Sequence, residues 1–166
     1  WLAVALNRHT LHKLIIIAAS YVFYAFWSWR LAFLLFSSVV LNWGTGRLIG
    51  AARSPGLSRS AVSLGVVINL LILGFFKYYG WFSEELNALL RLAGLAREIP
   101  LMEVLLPVGI SFFTFQGISY IVDLYRGDLD RPRGLLDVMF FISFFPHLVA
   151  GPIVRAASFL SQLERP

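Results

Sequence analysis

No cysteine occurs among the 166 residues, which removes disulfides, thiolate metal sites and cysteine nucleophiles. Charge is scarce too: Asp, Glu, Lys and Arg make up 14% of the chain and hydrophobic residues 58%. A soluble domain carries about a quarter charged residues, so this balance, with a mean hydropathy of +0.76, excludes an ordinary soluble domain and indicates a membrane protein. Histidine occurs three times; His9 and His12 have no third ligand candidate nearby, so no metal site is expected. There is no Gly-x-Ser-x-Gly nucleophile motif. Gly44-Thr45-Gly46 lacks the Lys-Ser/Thr ending of a phosphate loop. Internal repeats, low-complexity tracts and the charged-apolar-small pattern of a signal peptide are also missing. The chain starts at Trp1 and stops at Pro166, and reads as an internal piece: a single domain over residues 1–166, incomplete at both ends.

What the sequence has is apolar runs. Residues 14–29 form the first and end in Trp27-Ser28-Trp29, a pair suited to the membrane interface. Residues 31–49 follow after Arg30, giving a tight helical hairpin, and Gly44, Gly46 and Gly50 near the end of that second run allow close backbone approach. Residues 51–60, with Pro55-Gly56, read as a loop. Residues 61–79 form a third run carrying Asn69. In residues 81–98, Trp81, Leu86, Leu89 and Leu90 interleave with Glu84, Glu85, Asn87 and Arg91, which predicts an amphipathic helix lying at the interface. Residues 135–154 make a fifth run, interrupted by Pro146, His147, Gly151 and Pro152, whose end should be irregular and covered by protein.

The chain is organised around residues 104–126, VLLPVGISFFTFQGISYIVDLYR. About 20 apolar residues cross a bilayer core of about 30 Å. Here Gly109, Gln116 and Asp123 recur every seven residues, with Phe113 and Tyr120 on the same helical stripe. Polar groups inside a span are costly against lipid, so this stripe should face protein or a wet cavity. The expected fold is therefore all-α: a polytopic protein of about five membrane helices plus one interfacial helix.

The excess of fourteen Lys and Arg over nine Asp and Glu sits in short loops, so it reads as topology and no nucleic-acid partner is expected. If all five runs cross, loops 1–13, 50–60 and 126–134 share one side, with Arg8, Lys13, Arg53, Arg59, Arg126, Arg131 and Arg133, and Arg47 at a helix end. Arg30, Lys77, Arg91, Arg97, Arg155 and Arg165 fall on the other. The richer side is expected in the cytoplasm.

Two motifs occur together: LPVGISFFTFQGISYIVDLYRG at residues 106–127 and FFPHLVAGPIVR at residues 144–155, preceded by FYAFWSWR at 23–30 and GFFKYYGWF at 74–82. Their order and spacing resemble the membrane-bound O-acyltransferase family, in its bacterial alginate O-acetyltransferase branch. The resemblance implies a multi-pass enzyme of the bacterial inner membrane, bounded by membrane lipid, that moves an acetyl group to an exported polysaccharide such as alginate. It also implies acetyl-CoA as the acyl donor, no bound cofactor, and a secreted or periplasmic acetyltransferase as partner. The family's catalytic histidine lies in a Trp-His-Gly context that this chain lacks and is expected beyond Pro166.

Against that background His147 is the one histidine within an apolar run, and the general-base chemistry of acyl transfer suits histidine. It sits beside Pro146, where freed backbone carbonyls could equally hold it in a structural role. In the resembled branch Gln as well as His stands at this place. Gln116, Asp123 and Arg155 are candidates to line a substrate tunnel, Arg155 by meeting a phosphate or carboxylate. The alternatives are an interhelical hydrogen bond for Gln116 and a surface pair with Arg126 for Asp123. From the residues alone, a transporter or channel module or a non-catalytic scaffold of a polysaccharide export complex fits the same composition.

Overall fold

The computed structural model describes residues 2–94, 109–144 and 154–163, and every regular element among them is an α-helix. They are α1 (Leu2–Trp27), α2 (Trp29–Ala51), α3 (Pro55–Leu92), α4 (Ile110–Arg126), α5 (Leu135–Ser143) and α6 (Ala156–Gln162).

The break between α1 and α2 is a single extended residue, Ser28, rather than Arg30. Between α2 and α3 the stop is built from local chemistry. Ser54 accepts a hydrogen bond at its Oγ from Leu57 N at 3.3 Å, and Pro55 opens the helix where its missing N–H costs nothing. α4 is bounded by two glycines in the left-handed region, Gly109 at φ 75° and Gly127 at φ 80°, a backbone that a side chain adopts only at a cost. Beyond Gly127 the chain closes on α4, with the Asp128 and Leu129 amides donating to Asp123 O at 2.9 and 3.2 Å.

α3 departs from expectation. The third run and the interfacial helix read from residues 81–98 are one continuous helix of 38 residues as far as Leu92. At about 1.5 Å per residue it is about 57 Å long, nearly twice the hydrocarbon core. Gly80 does not interrupt it, because glycine in a helix interior costs only about 1 kcal/mol and no proline follows until Pro100. The sidedness also differs: Ser83 and Asn87 are buried, whereas Trp81, Phe82, Leu89 and Leu92 are exposed.

Among the described residues, α2 and α3 are long and apolar enough to cross a membrane, and residues 10–26 of α1 form a shorter apolar helix. The described part of the central stretch, α4, has 17 residues. Large apolar side chains on the outside of α2 and α3, such as Phe33, Leu48, Leu64, Leu71 and Phe75, suit a hydrocarbon surround.

α4 occupies the centre, packed against α2, α3, α5 and α6. Small residues let the helices approach. A Cβ on Gly46 would lie 2.7 Å from the Tyr120 ring, and one on Gly65 would lie 2.7 Å from Thr45 and 2.9 Å from Ile121. Gly50 lies against Pro132 with no room for a side chain. At the heart of α2, α3 and α4 the Asn42 and Asn69 amides bond reciprocally, at 3.2 and 3.0 Å, and each also donates at 2.8 Å to a carbonyl one turn back, Ser38 O and Gly65 O. Gly117 of α4 packs directly on the Asn42 amide. This pair satisfies polar groups that would otherwise be stranded away from water.

Several contacts draw segments 50–60 and 126–134 to one end of the bundle. Besides Gly50 against Pro132, the Arg133 amide donates to Tyr120 Oη at 3.1 Å. Lys13 on α1 pairs with Asp137 in the first turn of α5 at 2.6 Å. The segments around Arg53 and Arg131, assigned by the sequence to one side, therefore meet in space. Arg155, however, assigned to the other side, borders the same cavity as Arg126, and residues 55–60, read as part of a loop, are the first turns of α3.

Candidate functional site

The polar stripe of α4 divides between two surroundings. Phe113, Gln116, Gly117 and Tyr120 are buried in the helix core. Phe115, Ile118, Ser119 and Val122 wall an open cavity of about 360 Å³, completed by Asp123, Arg126, Val154 and Arg155. Its wall is mainly carbon, with two guanidinium groups and one carboxylate in it.

Asp123 sits where the two surroundings meet, and its partners define its role. Asp123 Oδ2 accepts from the Ala157 amide at 3.0 Å and from Ser119 Oγ at 3.3 Å. Ser119 Oγ in turn accepts from the Ala156 amide at 3.1 Å. These are the first two amides of α6, which has no side-chain cap of its own from Arg155. The first N–H groups of a helix lack intrahelical acceptors, and a carboxylate there also complements the helix dipole. α4 thus caps α6 from across the fold, fixing Arg155, the residue immediately before Ala156, at the cavity wall. The pair with Arg126 anticipated for Asp123 does not form. Arg126 Nε instead lies 3.9 Å from Asp128 Oδ2, and both side chains are largely solvated.

Of the tunnel candidates, Asp123 and Arg155 therefore come together in one cavity, with Ser119 and Arg126 beside them. Gln116 does not join them. It is 1% exposed in the core, and its Oε1 has no hydrogen-bond partner among the described residues, so the anticipated interhelical bond to that oxygen is absent. His147, with Pro146, Gly151 and Pro152, lies outside the described residues. No cluster of three His, Cys, Asp or Glu side chains occurs among those described.

Chemically, the cavity can receive a molecule with an anionic group for Arg126 and Arg155 and an apolar part for Phe115, Ile118 and Val122. Asp123 Oδ2 is committed to two donors, the Ala157 amide and Ser119 Oγ. Ser119 was visible in the sequence only as one more polar residue. Its spacing of four from Asp123 puts both on one face, but nothing local indicates the helix they cap. Asn42 was missed; Ser38, Asn42 and Thr45, recurring every three to four residues in an apolar run, were its signal.

No protein-family model and no solved structure matches the chain. Several curated proteins do. The chain is 44% identical over 156 residues to the probable alginate O-acetylase AlgI of Azotobacter vinelandii, covering 92% of this chain and 30% of that protein. It is 44% identical over 163 residues to the protein of the same name in Pseudomonas putida, covering 96% of this chain and 33% of that one. It is 31% identical over 176 residues to the peptidoglycan O-acetyltransferase of Helicobacter pylori, covering 92% and 32% respectively. The chain spans about a third of the length of these relatives.

Proposed function

Because the chain is a relative, over nearly all its length, of the bacterial alginate O-acetylases, we propose that it forms part of a membrane-bound O-acyltransferase acting on a polysaccharide. The complete protein, in this reading, is a multi-pass protein of the inner membrane, with about five membrane helices in this segment. It takes an acetyl group from a donor, acetyl-CoA by chemical class, and passes it across the membrane to an exported polysaccharide such as alginate, with a secreted or periplasmic acetyltransferase as partner. Acyl transfer requires a base to take a proton from the acceptor while its oxygen attacks the acyl carbonyl and the donor's thiolate leaves. The family resemblance assigns that base to a histidine in a later segment rather than to His147.

The observation that carries a role for this segment is the cavity of α4, where Arg126 and Arg155 flank an apolar wall and Asp123 holds α6 in place. Arg155 meets a phosphate of the donor, and Gln116 lies on the buried side of α4. The test is steady-state acetyl transfer by the complete protein with Arg155→Gln. Loss of one guanidinium contact to an anionic group should raise KM for the donor by about tenfold with little change in kcat, Arg155→Lys recovering part of it. Unchanged KM in a folded Arg155→Gln protein would remove Arg155 from the donor path.

A further inference from the structure

A second cavity, of about 390 Å³, lies between α3 and α4, walled by Val62, Ser63, Val66, Val67, Val122 and Tyr125. Val67 and Tyr125 are half-exposed, so the groove opens onto the outer surface of the bundle. α3 is one of the two helices fit to cross a membrane, and four valines offer a narrow trough of carbon. A groove of this kind, facing hydrocarbon, takes an alkyl chain.

Charge stands at one end of it. Arg59 lies three residues before Val62, one turn away on the same face of α3. Arg126 directly follows Tyr125 in the last turn of α4. Both are exposed. Arg126 makes only the long, solvated contact with Asp128, and Arg59 has no ion pair among the described residues. The contact of Gly50 with Pro132 keeps the two loops carrying Arg53 and Arg131 at this same end, adding to its positive field. The opposite end, where Val67 continues toward Leu70 and Leu71, is apolar.

We propose that the α3–α4 groove binds an anionic phospholipid, one acyl chain along the valines and the phosphate between Arg59 and Arg126. Each guanidinium can donate two hydrogen bonds to phosphate oxygens, and a headgroup of net negative charge complements this end where a zwitterionic one adds a cation. The inference rests on the helices and their charges, independently of the acyltransferase reading. Arg126 also lines the first cavity; Arg59 does not, and so separates the two roles.

The test uses the complete protein purified in mild detergent, with lipid retention read by native mass spectrometry against phosphatidylglycerol and phosphatidylcholine of identical chains. Phosphatidylglycerol should be retained about tenfold over phosphatidylcholine, and the Arg59→Gln/Arg126→Gln variant should bring that ratio to within about twofold. Ser63→Phe, which fills the trough, should lower retention of both lipids, and glycerol 3-phosphate should displace neither. Each variant is read only with parental helical circular dichroism and monodisperse elution. If the double variant misfolds, Arg59→Gln alone is expected to lower the ratio about threefold. Equal retention of the two lipids by the parent protein overturns the proposal, as does an unchanged ratio in the arginine variants. An equal loss in Arg53→Gln would show a diffuse basic collar instead, and displacement by glycerol 3-phosphate would show an anion site without an acyl chain; either also overturns it.

Discussion

A tight junction of the helix core, Gly117 of α4 on the Asn42 amide, yields the sharpest prediction. A Cβ at residue 117 would stand 2.6 Å from Asn42 Cγ and 2.9 Å from its Oδ1. Asn42 cannot swing away freely, because its Nδ2 donates to Ser38 O and Asn69 Oδ1 and its Oδ1 accepts from Asn69. Gly117→Ala should gain about 1 kcal/mol of helix propensity. It should lose about 2 kcal/mol to overpacking and about 1 kcal/mol as the interhelical amide pair is forced apart, for a net cost of about 2 kcal/mol. Asn42→Ala alone leaves Asn69 without its partner amide and should cost about 1.5 kcal/mol. In the double variant the new methyl group enters the space that the amide vacated. Only the loss of the pair then remains, partly offset by propensity, for about 0.5 kcal/mol and about 3 kcal/mol of coupling, the upper end for residues in direct contact. The assay is reversible unfolding in mixed micelles followed by far-ultraviolet circular dichroism, run on all four members of the cycle. Gly44→Ala serves as the control, because nothing lies within 4 Å of a Cβ there, and it should be neutral or stabilising. Additive losses in the double variant would refute the reasoning, since they would mean that Gly117 and Asn42 do not share the space.

Two further outcomes follow from the cap and the ion pair. Asp123→Ala removes the acceptor of the Ala157 amide and of Ser119 Oγ and should cost about 1–3 kcal/mol; Asp123→Asn, which keeps an oxygen there, should cost less than half of that. Faster amide exchange confined to residues 156–159 is the local signature, and unaltered exchange there would remove the cap. Lys13→Met should loosen α1 from α5, with a cost of no more than about 1 kcal/mol because both partners of the 2.6 Å pair retain some exposure. A cycle with Asp137→Asn read at low and high salt checks it, and a coupling that grows with salt would contradict an ionic origin.

Much of this protein was legible in one dimension. Scarce charge and long apolar runs point to helices suited to a membrane, because a backbone in lipid must satisfy its own hydrogen bonds. The described residues are helical, with two helices long and apolar enough to cross a membrane. Gly127 marks a helix end through chemistry confined to a turn, whereas Pro55-Gly56, read as part of a loop over residues 51–60, lies in the first turn of α3. The two long motifs at residues 106–127 and 144–155 carry the resemblance to the alginate O-acetylases. Periodicity also placed Gln116, Tyr120 and Asp123 on one stripe. It could not say what that stripe meets, since spacing fixes which residues share a face and not which element lies opposite. Only the packed structure assigns Asp123 and Ser119 to capping α6, 34 and 37 residues away, or leaves Gln116 Oε1 without a donor among the described residues. The same holds for the glycines: Gly44, Gly46 and Gly50 look alike in the sequence, yet Tyr120 and Pro132 crowd two of them and leave the third open. α3 shows the converse limit. Whether Gly80 ends a helix turns on about 1 kcal/mol of local preference, too little to decide the matter before the tertiary packing of its flanking turns is known.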